Sequence, residues 1–181
     1  MKSCKVILYI AMSLDGYIAR ENGDIDWLSV VDMPNEDYGY SAFIKNVDTV
    51  IMGRKTYEKV GSFGIAFPHK DKTCYVLSGS KTGKNDHVTF FSGDLSELIA
   101  AIKDQRCGNI FIDGGAETVN ALLKQGLIEE CVISIVPVLL GSGIKLFRDG
   151  RPETSLKLVS TDSFTSGLVQ LRYECSVNDC N

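Results

Sequence analysis

The chain has 181 residues, 44% of them hydrophobic, and 19 Lys and Arg against 23 Asp and Glu give a net charge of −4. This is enough apolar material for a single domain over 1–181 with a substantial core. The slightly acidic balance, without any block of like charge, argues against a nucleic-acid surface, and the longest apolar runs, 6–12 and 136–140, are too short to cross a bilayer.

In chain order, Lys2 and Lys5 before the run 6–12 imitate the start of a signal peptide. The run is short, lacks a small-residue cleavage site and turns at Asp15-Gly16, so it reads as the first strand. A helix is expected over 35–45, interrupted by Gly39. The run 47–52 reads as a strand leading through Gly53-Arg54-Lys55-Thr56 into a short helix, 73–77 as another strand, and 87–91 as a weaker one. Asp94 with Glu97 three residues later starts a helix whose Leu95, Leu98, Ile99 and Ile102 repeat at helical spacing until Gly108. Strand 109–112 precedes a helix over 116–125 that Gly126 stops, and 131–138 is a further strand. Runs 156–161 and 168–175, around a turn near Ser166 and Gly167, predict an antiparallel hairpin on an otherwise largely parallel sheet.

Six cysteines, at 4, 74, 107, 131, 175 and 180, show no C-x-x-C spacing, and no metal site is expected. Cys74 and Cys131 read as buried thiols inside strands, which fits a reducing cytoplasm, while Cys175 and Cys180 have the option of oxidising to each other.

Three strand ends carry polar or glycine-rich turns: Gly53-Arg54-Lys55-Thr56, Ser78-Gly79-Ser80-Lys81, and Asp113-Gly114-Gly115. In open α/β sheets ligands collect outside the carboxyl ends of the strands, so the three are expected to face one ligand. Backbone amides at helix starts and a guanidinium both suit a phosphate, and Gly114-Gly115 removes side chains where a pyrophosphate would approach. Each turn taken singly also fits ordinary strand-to-helix geometry. After Leu77 come Ser78, Ser80 and Lys81 with no acid before Asp86, a setting that favours the 2'-phosphate of NADPH over the free ribose of NADH, although any exposed loop contains such residues.

Together, Ala11, Asp15-Gly16-Tyr17-Ile18-Ala19, the stretch 50–58 (VIMGRKTYE), Leu77-Ser78 and Asp113-Gly114-Gly115 resemble the dihydrofolate reductase fold over nearly the whole chain. The closer likeness is to the branch shared with the C-terminal reductase domain of the bifunctional riboflavin-biosynthesis deaminase/reductase. The resemblance implies a three-layer α/β/α domain with a mostly parallel mixed sheet and a C-terminal antiparallel hairpin, a homodimer, and NADPH as cofactor. It implies that Gly53, Arg54, Lys55 and Thr56 hold cofactor phosphates, Leu77, Ser78 and Gly79 the adenosine end, and Gly114, Gly115, Ala116, Glu117 and Thr118 the pyrophosphate, with Ala11 and Ile18 flanking the nicotinamide. The chain lacks the G-x-G-T and D-D-P segments of the riboflavin-pathway members, so the resemblance does not carry their pyrimidine substrate with it.

Counting back from Gly53-Arg54 at the spacing of dihydrofolate reductases lands on Asp37 as the carboxylate that meets substrate and serves as acid; an Asp near a helix start also simply complements the helix dipole. Trp27, the only tryptophan, reads either as a wall of the substrate cleft or as packing. The expected function is NADPH-dependent hydride transfer to a small heterocyclic or sugar-linked imine or carbonyl. Alternatives are reduction of a ribosylaminopyrimidine, dihydrofolate reduction, or nucleotide binding without turnover.

Overall fold

Apolar runs alternating with helical patterns build one large sheet with helices on both faces. The computed structural model describes residues 4–105 and 108–176; Cys107 and the expected pairing of Cys175 with Cys180 lie outside the described residues. The strands are β1 (Val6–Ser13), β2 (Tyr17–Ala19), β3 (Val47–Gly53), β4 (Thr73–Leu77), β5 (Gly83–Lys84), β6 (Thr89–Phe91), β7 (Asn109–Gly114), β8 (Glu130–Val136), β9 (Ile144–Lys145), β10 (Leu156–Ser163) and β11 (Val169–Cys175). The helices are α1 (Tyr40–Ile44), α2 (Arg54–Gly61), α3 (Leu95–Gln105) and α4 (Ala116–Lys124), with a 3-10 turn over Asp26–Val31.

Nine strands form the main sheet in the order β10-β11-β8-β1-β7-β3-β4-β6-β5, and β2 pairs with β9 separately. The central pairs β8-β1, β1-β7, β7-β3, β3-β4 and β4-β6 are parallel. The hairpin β10-β11 is antiparallel and joins the sheet antiparallel to β8. This is the mixed sheet with a C-terminal hairpin that the sequence predicts. The central strands carry Val6, Leu8, Val50, Ile51, Ile110 and Ile112 at 0% exposure because both faces are covered. On one face Val6, Leu8, Ile51, Ile110 and Ile112 pack with Leu98, Ile99 and Ile102 of α3 and Val119, Leu122 and Leu123 of α4. On the other, Val50, Met52, Cys74 and Phe111 meet Tyr40 and Phe43 of α1 and Tyr57 of α2. Each fully buried aliphatic side chain contributes about 1.5–3 kcal/mol. A third cluster, Trp27, Val31, Val136 and Leu168, sits beside Ala11.

Three expectations are corrected. The helix expected over 35–45 is only α1, because Asn35, Tyr38 and Gly39 take φ of 63°, 54° and 83°, a left-handed backbone incompatible with a right-handed helix. The Tyr38 carbonyl is instead fixed by the Tyr9 hydroxyl, which donates to it at 2.7 Å, and by the Gln170 side-chain amide at 3.1 Å. The strand expected over 131–138 stops at Val136, where Pro137 has no N–H to continue the ladder. The weak strand at 87–91 begins only at Thr89, because the Asn85 side chain accepts the His87 and Val88 amides in a turn.

Candidate active site

Helices α2 and α4 both start at the carboxyl edge of the sheet, directly after β3 and β7, and their N-caps are glycines, Gly53 and Gly115, with no side-chain capping bond. The first amides of each helix are therefore left for a ligand. The two starts touch. A Cβ on Gly53 would meet Thr118 Oγ1 at 2.8 Å and the Gly115 nitrogen at 3.7 Å, and a Cβ on Gly115 would meet Thr56 Oγ1 at 3.2 Å. Gly114 has φ of 103° and joins Gly115 through a cis peptide. Gly53, Thr56, Gly114, Gly115, Ala116 and Thr118, six of the residues expected at the cofactor phosphates, thus come together. Lys55 and Glu117 face each other across the two helices at 3.5 Å.

The third strand end lies alongside. Ser78 is buried, its amide donates to the Phe91 carbonyl at 2.9 Å, and its hydroxyl accepts the Lys81 amide at 2.9 Å and the Ser80 amide at 3.3 Å. Leu77 is half-buried at the end of β4, and Gly79 borders open space. The turn held by Ser78 presents Lys81, whose Nζ is 3.4 Å from Glu58 Oε1, while Arg54 Nη1 is 2.8 Å from both Glu58 oxygens. Arg54 and then Lys81 hold the Glu58 carboxyl below the ordinary glutamate range. Two cations therefore converge on a single acid.

Of the residues expected at the nicotinamide, both half-buried, Ala11 packs in the Trp27 cluster and Ile18 into the cluster on the α3 and α4 side. Asp15 ties the exit of β1 to the 140–141 turn: its carboxylate accepts the Ser13 hydroxyl at 2.6 Å and the amides of Leu140 and Gly141 at 3.0 and 2.7 Å. Trp27 is buried, and its indole Nε1 has no hydrogen-bond partner among the described residues.

Asp37 is exposed and lies before α1, not on it. Its carboxylate accepts the Gly39 amide at 3.0 Å and the Ser41 amide at 2.9 Å. The Ser41 hydroxyl and these amides hold its carboxyl below the usual range, which favours the charged form, the opposite of what a proton donor at neutral pH needs. The residue that faces the aromatic side of the sheet at a strand end is Asp113, with His69 Nε2 at 3.6 Å from its Oδ2. Asp113 is visible in sequence only as the acid before Gly-Gly. His69 is invisible there, because only the fold brings the loop before β4 over β7. Among the described residues no group of three or more His, Cys, Asp and Glu is placed to hold a metal, and no helix is long and apolar enough to cross a membrane.

The chain matches the model of the RibD C-terminal domain over residues 4–170. It is 48% identical over 170 residues to the uncharacterized protein YwjB of Bacillus subtilis (strain 168), covering 93% of this chain and 97% of that protein. Among solved structures it superposes on a Shewanella sp. PV-4 protein named for riboflavin biosynthesis with a TM-score of 0.88, at 36% identity and covering 95% of this chain and 99% of that one. A dihydrofolate reductase from Enterococcus faecalis, complexed with NADP(H), superposes with a TM-score of 0.64 at 20% identity over 94% of each chain and shares the fold. A mixed sheet of this order, two uncapped helix starts meeting at its carboxyl edge and a family match over nearly its whole length lead to one assignment: the chain belongs to the RibD C-terminal domain family.

Proposed function

We propose that the protein is an NADPH-dependent reductase that transfers hydride to a small heterocyclic or sugar-linked imine or carbonyl. The observation that carries this reading is the meeting of two uncapped helix starts at Gly53 and Gly115, with Thr118 Oγ1 2.8 Å from where a Gly53 Cβ would stand. Amides at the starts of α2 and α4, with the Thr56 and Thr118 hydroxyls, suit a pyrophosphate. Arg54 and Lys81, which now share Glu58, would hold the 2'-phosphate through charge-assisted contacts. NADPH, when bound, supplies the hydride.

The substrate side is the surface between the Trp27 cluster and the aromatic residues of α1, with Ala11 and Asp113 at the strand ends between them. Trp27 excludes water there. Its indole N–H is buried without a partner among the described residues, which costs about 1–3 kcal/mol. Family membership and the likeness to a protein named for riboflavin biosynthesis support a reductase of the riboflavin-pathway type, while the missing G-x-G-T and D-D-P segments set the chain apart from the members that reduce the pyrimidine. A screen of NADPH oxidation against pterins, pyrimidines and small carbonyls is the test. Turnover of a pyrimidine or related imine is expected, and NADPH binding without turnover of any class would reduce the protein to a nucleotide binder.

The same reading includes a homodimer. Leu156, Leu158 and Val159 of the edge strand β10 are 46%, 52% and 49% exposed, and an apolar edge of this kind invites pairing with a second copy.

A further inference from the structure

Two thiols take no part in the cofactor reading and meet across the outer strands. Cys131 of β8 stands opposite Tyr173 of β11 in the antiparallel register, so Cys175, two residues further along β11, projects from the same sheet face as its diagonal neighbour. Their Sγ atoms lie 3.4 Å apart although 44 positions separate them in the chain. Both belong to the apolar cluster beneath α3 and α4, where Cys131 is 3% exposed and Cys175 half-buried. Cys131 also lines a cavity of about 520 Å³ with Met12, Ile133, Leu171 and Tyr173, which leaves its Sγ room to turn.

We propose that Cys131 and Cys175 form a redox-sensitive dithiol that hydrogen peroxide converts reversibly to a disulfide, stapling the end of the C-terminal hairpin to β8. This modification site is independent of the reductase reading.

A thiolate, not a thiol, is the nucleophile, and the pair divides the two roles. The hydrogen bond between them lowers the pKa of Cys175, whereas that same bond and then burial raise the pKa of Cys131, so Cys131 keeps its proton and donates it to the Cys175 sulfur. Cys175 is also the more exposed of the two. Its thiolate attacks one peroxide oxygen: the S–O bond forms as the O–O bond breaks, leaving Cys175 as a sulfenic acid and releasing hydroxide. The Cys131 sulfur then attacks the Cys175 sulfur. The S–S bond forms, the S–O bond breaks, and the departing hydroxide takes the Cys131 proton as water. Overall two thiols lose two electrons and two protons, and one peroxide becomes two waters. To reach the ~2.05 Å of an S–S bond the sulfurs must close by about 1.4 Å, and Cys175 is the last residue of β11, so the adjustment falls at a strand end. Cys74 makes the contrast: its thiol donates to the His69 carbonyl at 3.4 Å and is pushed up to about 12, by burial first and by Asp113 and Asp71 after it, so it stays protonated.

The test is hydrogen peroxide treatment of the folded full-length protein, followed by alkylation of the remaining thiols, trypsin digestion and mass spectrometry. Tryptic peptides 125–145 and 173–181 carry Cys131 and Cys175, the second with Cys180 as well. In the parent and in Cys180→Ser the two should appear joined, lighter than their sum by two hydrogens, and should part on treatment with a dithiol reductant. Cys175→Ser should abolish the link. The melting temperature of the parent should rise by about 4–16 °C on oxidation and return on reduction, because the bond constrains the unfolded chain; Cys175→Ser and Cys131→Ala should show no such rise. Absence of joined peptides in the parent, a link that survives in Cys175→Ser, or a link lost in Cys180→Ser overturns the pairing. A joined pair that leaves the melting temperature unchanged overturns the staple.

Discussion

Gly53→Ala is the smallest change that tests the phosphate site. The new methyl would stand 2.8 Å from Thr118 Oγ1, short of the 3.4 Å where ordinary contact begins by 3.4 − 2.8 = 0.6 Å, while its next neighbours, the Gly115 nitrogen and Gly114 carbonyl, lie at 3.7 and 3.8 Å. Only one atom objects. Thr118 is buried and β-branched, so its hydroxyl leaves by turning a stiff χ1 or by shifting the start of α4. Overpacking of this kind costs about 1–3 kcal/mol, and at roughly 2–4 °C per kcal/mol for a chain of this size the melting temperature should fall by about 2–12 °C. Displacing the hydroxyl also removes a donor to a charged phosphate, worth about 1.5–3 kcal/mol, or a roughly 10- to 150-fold loss of NADPH affinity. Thermal melts and fluorescence titration with NADPH measure the two effects. Adding Thr118→Ala should relieve the clash and recover stability but not affinity. Parental affinity in Gly53→Ala, or an unchanged melt on adding Thr118→Ala, would refute the reasoning.

Arg54→Ala should weaken NADPH about 10- to 150-fold and NADH far less, since one charge-assisted contact to the 2'-phosphate is lost, while Glu58→Gln should tighten NADPH; equal losses for both cofactors would place that phosphate elsewhere. Asp37, whose folded pKa lies below its ordinary value, adds stability that is present above the unfolded carboxyl pKa near pH 4 and disappears as pH falls through the folded value. Asp37→Asn should therefore melt lower than the parent at pH 7 and converge with it in strong acid, while keeping turnover within a few-fold. A loss of about 100-fold with a flattened pH–rate profile would return the acid role to Asp37. Leu158→Lys on the edge strand should give a monomer mass by light scattering where the parent gives a dimer, and a monomeric parent at micromolar concentration refutes that assembly.

The parts legible in sequence were those governed by local pattern. Strand 73–77 and the helix from Ala116 follow from apolar periodicity, the helix also from the glycines that bound it, and the helix starts at the sheet edge follow from the glycines immediately after strands. The illegible parts depend on contacts distant in sequence. Tyr38 takes a left-handed backbone that its residue type disfavours, because a tyrosine on β1 and a glutamine on β11 hold its carbonyl, and no window around residue 38 contains either. His69 approaches Asp113 across 44 residues of chain, and Asp113 looks like part of a turn until its neighbour is known.

The three bonds of Gln170 make the hairpin more than an edge. Its side-chain amide nitrogen lies 3.1 Å from the Tyr9 hydroxyl, the Tyr38 carbonyl and the Ser134 hydroxyl, spanning β11, β8, β1 and the segment before α1. A substitution to an aliphatic residue removes the two N–H groups that these three acceptors share, leaving the Tyr38 carbonyl only the Tyr9 hydroxyl, at a cost of about 1–3 kcal/mol for each bond lost where no water replaces it. The hairpin is consequently not an interchangeable module. Its outward residues are free to diverge as assembly changes, but position 170 is shared property of the outer strands and the segment before α1, and redesigning one without it unsettles the other.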